Sequence, residues 1–159
     1  MKGKYSLFSG KQRKYASGDK SFMGNGKRSE FAKYIAHRPD IDPNGTLDII
    51  AHGNSKYIEV VSSGKVYNMS PREAAKLIRK NPGFKNAKSI RLLSCSTGAS
   101  SEGFAQHLAN ALGKPVLAPN NTIYAYPNGK YWIKDINYKT KGDFIEYKPG
   151  GINMEKQVK

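Results

Sequence analysis

The chain of 159 residues carries 27 Lys and Arg against 12 Asp and Glu, a formal charge of +15, with 38% apolar residues and a single cysteine. That length fits one domain able to bury a sizeable core. One Cys excludes an internal disulfide, three His beside it argue against a structural zinc site, and no stretch reaches the roughly 18 apolar residues of a membrane span.

A mean hydropathy of −0.66 leaves the core to the few segments where Ile, Leu and Val concentrate. The opening Met-Lys-Gly-Lys-Tyr-Ser lacks the continuous apolar run of a signal peptide, so export is expected as part of a longer chain or by a dedicated route. The positive field attracts acidic partners, and nucleic acid, an acidic protein and a polyphosphate all fit it.

Residues 1–28 hold eight Lys or Arg without a sustained period of 2 or 3.6 and read as a basic, irregular leader. The alternative is an ordered arm packed through Tyr5, Leu7, Phe8 and Tyr15. The domain is expected over 29–150, with 151–159 as a frayed tail. A first helix is predicted from Ser29 as N-cap to about Arg38, with Phe31, Tyr34 and Ile35 on one face and Pro39 as its stop. The turn cluster 40–45 leads into a short apolar run at 46–51 that reads as a buried strand.

Segments 57–61 and 65–69, split by Ser62-Ser63-Gly64, predict a β-hairpin. Ser70, Pro71 and Glu73 open a capping-box helix that Asn81-Pro82-Gly83 ends. A second buried strand is predicted at 89–94. Ser100 or Ser101 is expected to cap a helix that buries Phe104, Leu108, Ala111 and Leu112 and closes at Gly113. His107, mid-helix, is expected to be a partly buried structural histidine. Strands follow at 115–118, in a hairpin of 122–126 and 131–134, and at 143–147, with Trp132 and neighbouring tyrosines packing the second hairpin. Short apolar strands alternating with helices predict an α/β domain with a mostly parallel central sheet, flanking helices and peripheral β-hairpins.

Reactive residues follow two of these strands. The run 47–51 leads into His52-Gly53-Asn54, and 90–93 leads into Ser94-Cys95-Ser96-Thr97-Gly98. In open α/β sheets functional groups collect beyond the carboxyl ends of the strands. If the two strands are parallel neighbours, His52 and Cys95 emerge at one edge, and the intervening hairpin and helix supply the crossover. A thiol needs a base or a stabilising cation at neutral pH, which an imidazole provides. Gly53 would let a substrate backbone come close. The competing reading makes Cys95 a small buried hydrophobe and His52 a surface residue.

An apolar strand ending in His-Gly, then one ending in a small residue and Cys, resembles the caspase-like clan of cysteine peptidases. The matching residues are Leu47 to Gly53 and Ile90 to Cys95. His52 and Cys95 stand 43 positions apart, against roughly 50 in caspases, and the Gln-Ala-Cys-x-Gly signature is replaced by Ser94-Cys95-Ser96. Residues 95–98, 104–109 and 113–119 are similar to toxin-borne peptidase modules and C-terminal modules of polymorphic toxins.

The resemblance implies a caspase-like three-layer sandwich and a cysteine endopeptidase. Cys95 would be the nucleophile, His52 the acid/base, and Gly53 with the Cys95 N–H the oxyanion site. Asn54, Ser94, Ser96 and Thr97 would border the cleft. No metal or cofactor is implied, beyond a polyanion activator such as inositol hexakisphosphate. Arg72, Lys76, Arg79, Lys80, Lys85, Lys88 and Lys130 are the candidates to hold it, an ordinary solvated face being the alternative. The implied partners are a polypeptide substrate and an acidic immunity protein. The implied setting is a bacterial effector delivered within a larger chain to act in a target cytosol.

Two rival readings stand beside the peptidase. Ten Tyr and pairs such as Lys14-Tyr15, Lys33-Tyr34 and Lys130-Tyr131 suit an RNA-directed toxin, with His52 or His107 as a metal-independent ribonuclease base. That reading leaves Cys95 without a role, and the sequence shows no carboxylate cluster for a metal nuclease. The other is a non-catalytic binding module.

Overall fold

In the computed structural model, which describes residues 20–21, 30–42 and 45–150, a five-stranded sheet carries the domain. Its members are β1 (Lys20–Ser21), β2 (Thr46–Ile50), β5 (Ser89–Leu93), β6 (Val116–Pro119) and β9 (Phe144–Tyr147), in that spatial order. The first four run parallel and β9 closes the far edge antiparallel. This is a mixed α/β domain with a largely parallel sheet. Most of the expected leader and the tail 151–159 lie outside the described residues; at Lys20–Ser21 the leader is strand rather than irregular chain.

The chain leaves β2 through the hairpin β3 (Ile58–Ser62) and β4 (Lys65–Met69), then α2 (Pro71–Arg79), and returns as β5 beside β2. Ser63 and Gly64 take positive φ of 53° and 77°, the two-residue turn whose twist matches antiparallel strands. Ser70 caps α2 as its sequence predicts: Ser70 Oγ accepts the Glu73 N–H at 3.2 Å and Glu73 Oε1 accepts the Ser70 N–H at 2.9 Å. α3 (Phe104–Leu112) departs from expectation at its start. Gly103, not Ser100 or Ser101, is the N-cap, because the Ser100 hydroxyl accepts the nearby Glu102 N–H at 3.3 Å.

The two faces of the sheet differ. Leu47, Ile49, Ile90 and Leu92 pack against Ala74, Ala75 and Ile78 of α2 and Phe104, Leu108 and Ala109 of α3. Each fully buried Ile or Leu contributes roughly 1.5–3 kcal/mol. Ile50 and Leu93 point the other way, onto Ala32 and Ile35 of α1 (Glu30–Ile35) and onto Ile123 and Ile133 of a second hairpin, β7 (Thr122–Ala125) and β8 (Tyr131–Lys134). α1 ends before the expected Arg38 because that side chain folds back, donating to the Ile35 carbonyl at 2.9 Å. Gly129, at φ 92°, sits so close to the His37 carbonyl that a Cβ would lie 2.1 Å from its oxygen, so only glycine lets the hairpin dock there.

Candidate active site

Sheet register sets the geometry of the site. β2 and β5 pair from Thr46↔Ser89 through Ile50↔Leu93, an offset of 43 residues. The same offset separates His52 from Cys95, so each stands two residues beyond the last register pair, at the carboxyl ends of adjacent parallel strands. Both side chains are half-buried.

Around them the loops are stitched tightly. The His52 carbonyl accepts the Glu59 N–H at 2.8 Å, which turns the chain into β3. A Cβ on Gly53 would lie 2.9 Å from Thr97 Cγ2, so the glycine lets the loops after β2 and β5 touch. Asn54 Oδ1 accepts the N–H groups of Lys56 at 2.8 Å and Tyr57 at 3.0 Å, which makes it a turn builder. Ser94 and Thr97 are fully buried, their hydroxyl oxygens 3.2 Å apart, and Thr97 also donates to the Ser94 carbonyl. Their polar groups thus hold the loop rather than face solvent.

Ser96 differs from all of these. Directly after the candidate nucleophile it adopts φ 57°, the left-handed region uncommon for a side chain, while its N–H bonds Asn121 O at 3.0 Å. Gly98 then passes β6 so closely that a Cβ would meet the Ala118 carbonyl oxygen at 2.4 Å. The Cys95 thiol lies 3.9 Å from the Ile123 carbonyl, to which it donates, and Cys95 packs against the core cluster of the α1 face. Burial pushes its pKa up, against smaller lowering by backbone hydrogen bonding at Ile123 and at Cys95 itself. Burial thus favours the neutral thiol over the thiolate.

The same face of the β2–β5 pair carries an ion network that the apolar reading of 46–51 overlooks. Asp48 and Arg91 are register partners, bonded twice, at 2.9 and 2.7 Å. Arg38, its side chain fully buried, reaches the same carboxylate at 2.7 and 3.0 Å. Arg91 continues to Asp40 at 2.9 Å and to the Tyr131 hydroxyl at 3.2 Å, and Tyr131 donates to Asp40. Burial opposes the charge of Asp40, but bonds from Arg91 and Tyr131 with the charge of Arg91 outweigh it and hold the carboxyl below the usual range. A signal was present: the charged pair interrupting the two apolar strands has the same spacing as His52 and Cys95.

Three further expectations change. His107 is exposed, not part of the core, because the α3 face toward the sheet is filled by Phe104, Leu108 and Ala109. It lines an open groove of about 910 Å³ with Lys56, Ser70, Arg72, Ser100 and Gly103, among others; neither His52 nor Cys95 lines that groove. The candidate polyanion cations do not form one cluster, since Arg72, Lys76, Arg79 and Lys80 lie on or next to α2 and Lys130 lies on the hairpin covering the opposite face. Trp132 is not packed inside its hairpin but stands 49% exposed, because Ile123 and Ile133 take the inward positions.

The chain belongs to the family described as a domain of unknown function, DUF8616. The DUF8616 match spans residues 18–133 and so takes in β1, the strand ends bearing His52 and Cys95, and the hairpin up to Ile133. A comparison with curated proteins finds no match. Among the described residues of this DUF8616 domain no helix is long and apolar enough to cross a membrane, and no group of three or more His, Cys, Asp and Glu stands ready for a metal ion.

Proposed function

We propose that this domain is a caspase-like cysteine endopeptidase in which Cys95 attacks a peptide carbonyl and His52 moves the proton. The observation that carries the reading is the shared register of the two residues at the carboxyl ends of neighbouring parallel strands. The strained Ser96 beside the sulfur supports it, since backbone of this kind concentrates at reactive sites.

Because burial favours the neutral thiol, His52 acts as a general base during attack, not as the partner of a preformed thiolate. The imidazole takes the Sγ proton as the C–S bond forms and the carbonyl π pair moves to oxygen. Backbone N–H groups near Gly53 and Cys95 would receive that oxyanion. Collapse expels the amine, which takes the proton from His52 and leaves a thioester. Water, deprotonated by the same imidazole, then releases the carboxylate and restores the thiol. The charge of +15 supports an effector role with an acidic cognate partner.

Digestion of a diverse peptide library, read by mass spectrometry, tests this. Wild type cleaves, and Cys95→Ala and His52→Ala each lose about a thousandfold or more in turnover. No cleavage by wild type, or cleavage that survives Cys95→Ala, rejects the reading.

A further inference from the structure

The β7–β8 hairpin presents two unlike faces. Ile123 and Ile133 seal the core, and Tyr131 turns inward to Asp40 and Arg91. The outward positions carry Tyr124 directly across from Trp132, and Thr122 across from Lys134. The following loop lays Tyr138 on Tyr124, ring centroids 4.6 Å apart at 33°, with Tyr126 beside Tyr138. Trp132, Tyr138 and Tyr126 are 49, 50 and 38% exposed. Four aromatic rings thus form a single surface open to solvent.

Lysines lie on the same hairpin and the loop that follows it. Lys134 Nζ lies 5.8 Å from the Trp132 ring centre and 5.9 Å from that of Tyr138. Lys130, Lys139 and Lys141 are exposed on the same hairpin and loop. Over 122–143 the only acids are Asp135 and Asp143. The Asp135 carboxylate is occupied inside the loop, accepting the N–H groups of Asn137, Lys139 and Thr140 at 2.8 to 3.1 Å.

We infer that this surface binds single-stranded nucleic acid, its bases stacking on Trp132 and the Tyr124–Tyr138 pair while Lys130, Lys134, Lys139 and Lys141 meet the phosphates. Exposed rings and lysines at this spacing match the two features of a strand, a planar π-face on every base and one negative charge per nucleotide. An acidic protein would meet the lysines but does not set a planar π-face beside every negative charge, as a strand does. The net charge of +15 adds long-range attraction for the same polyanion. This surface is distinct from the Cys95 site, and its test is independent of peptide cleavage.

Trp132 is the chain's single tryptophan, so its fluorescence reports on the surface directly. The experiment titrates the full chain with a thymidine oligomer of about 15 nucleotides, an abasic oligomer of equal length, and poly-glutamate. The thymidine oligomer should quench Trp132 and bind about 5- to 150-fold more tightly than the abasic one, the range of stacking one base. Tyr138→Ala should remove most of that difference while leaving the abasic affinity unchanged. Lys134→Ala should weaken both oligomers and reduce the salt dependence. Equal affinity for the two oligomers, quenching by poly-glutamate as strong as by thymidine, or quenching that tracks self-association of the chain would each overturn the proposal.

Discussion

The β2–β5 pair carries two polar couples at matching register, and they are built in opposite ways. Asp48 and Arg91, within the paired strands, are joined by Arg38 and Asp40 into a network that satisfies the buried carboxylate from two sides. His52 and Cys95, just past the paired strands, stay half-buried, and the thiol makes one long contact with a carbonyl. Each couple has the same register. The inner couple gives up its freedom for stability, whereas the outer couple stands in the proposed active site, its thiol held by a carbonyl rather than by an ion pair of that kind.

Breaking the inner couple should give the largest stability loss. Asp48→Asn leaves two guanidinium groups facing a neutral amide, and removing one partner of a buried ion pair costs about 3–5 kcal/mol. Chemical denaturation should show that loss, while Cys95→Ala should shift stability by no more than about 1 kcal/mol and still abolish turnover. Equal losses at the two positions would erase the distinction.

Titration sharpens the same contrast. Burial favours the neutral Cys95 thiol, so its contribution to stability is complete below the ordinary thiol pKa and is lost as pH rises through the higher folded value. The rate of iodoacetamide alkylation in the free protein should therefore inflect above 9.0, the unperturbed value. An inflection near pH 6–7 that disappears in His52→Ala would reveal a preformed ion pair and overturn the general-base mechanism. The smallest effect is expected at Ser96. Ser96→Gly relieves the left-handed backbone and should stabilise by about 0.5–1 kcal/mol, at some loss of turnover if the turn aims the sulfur.

What the sequence made legible was whatever is decided locally. The α2 cap is set by three neighbouring residues, Ser70, Pro71 and Glu73, and it forms as they predict. The parallel pairing was legible because two apolar runs ended in chemically suggestive residues. The α3 start was missed because Gly103 caps without a side chain. The outward direction of Trp132 was missed for a nonlocal reason. Which side of β8 faces the core depends on Arg91 and Asp40 waiting for a hydroxyl, and those arrive from 40 and 91 residues away. Burial of Arg38 likewise depends on Asp48, a partner in another element.

The Asp48–Arg91 pair also guards against a misfolded alternative. Sliding β5 along β2 by two residues would keep the same apolar side chains on each face, so burial alone discriminates poorly against it. That slip would set Asp48 opposite Ser89 or Leu93 and break both bonds between its buried carboxylate and Arg91. It would also carry His52 away from Cys95. The ion pair therefore acts as an alignment key, and the strand ends keep their shared position because a charged pair earlier in the same ladder penalises that slip.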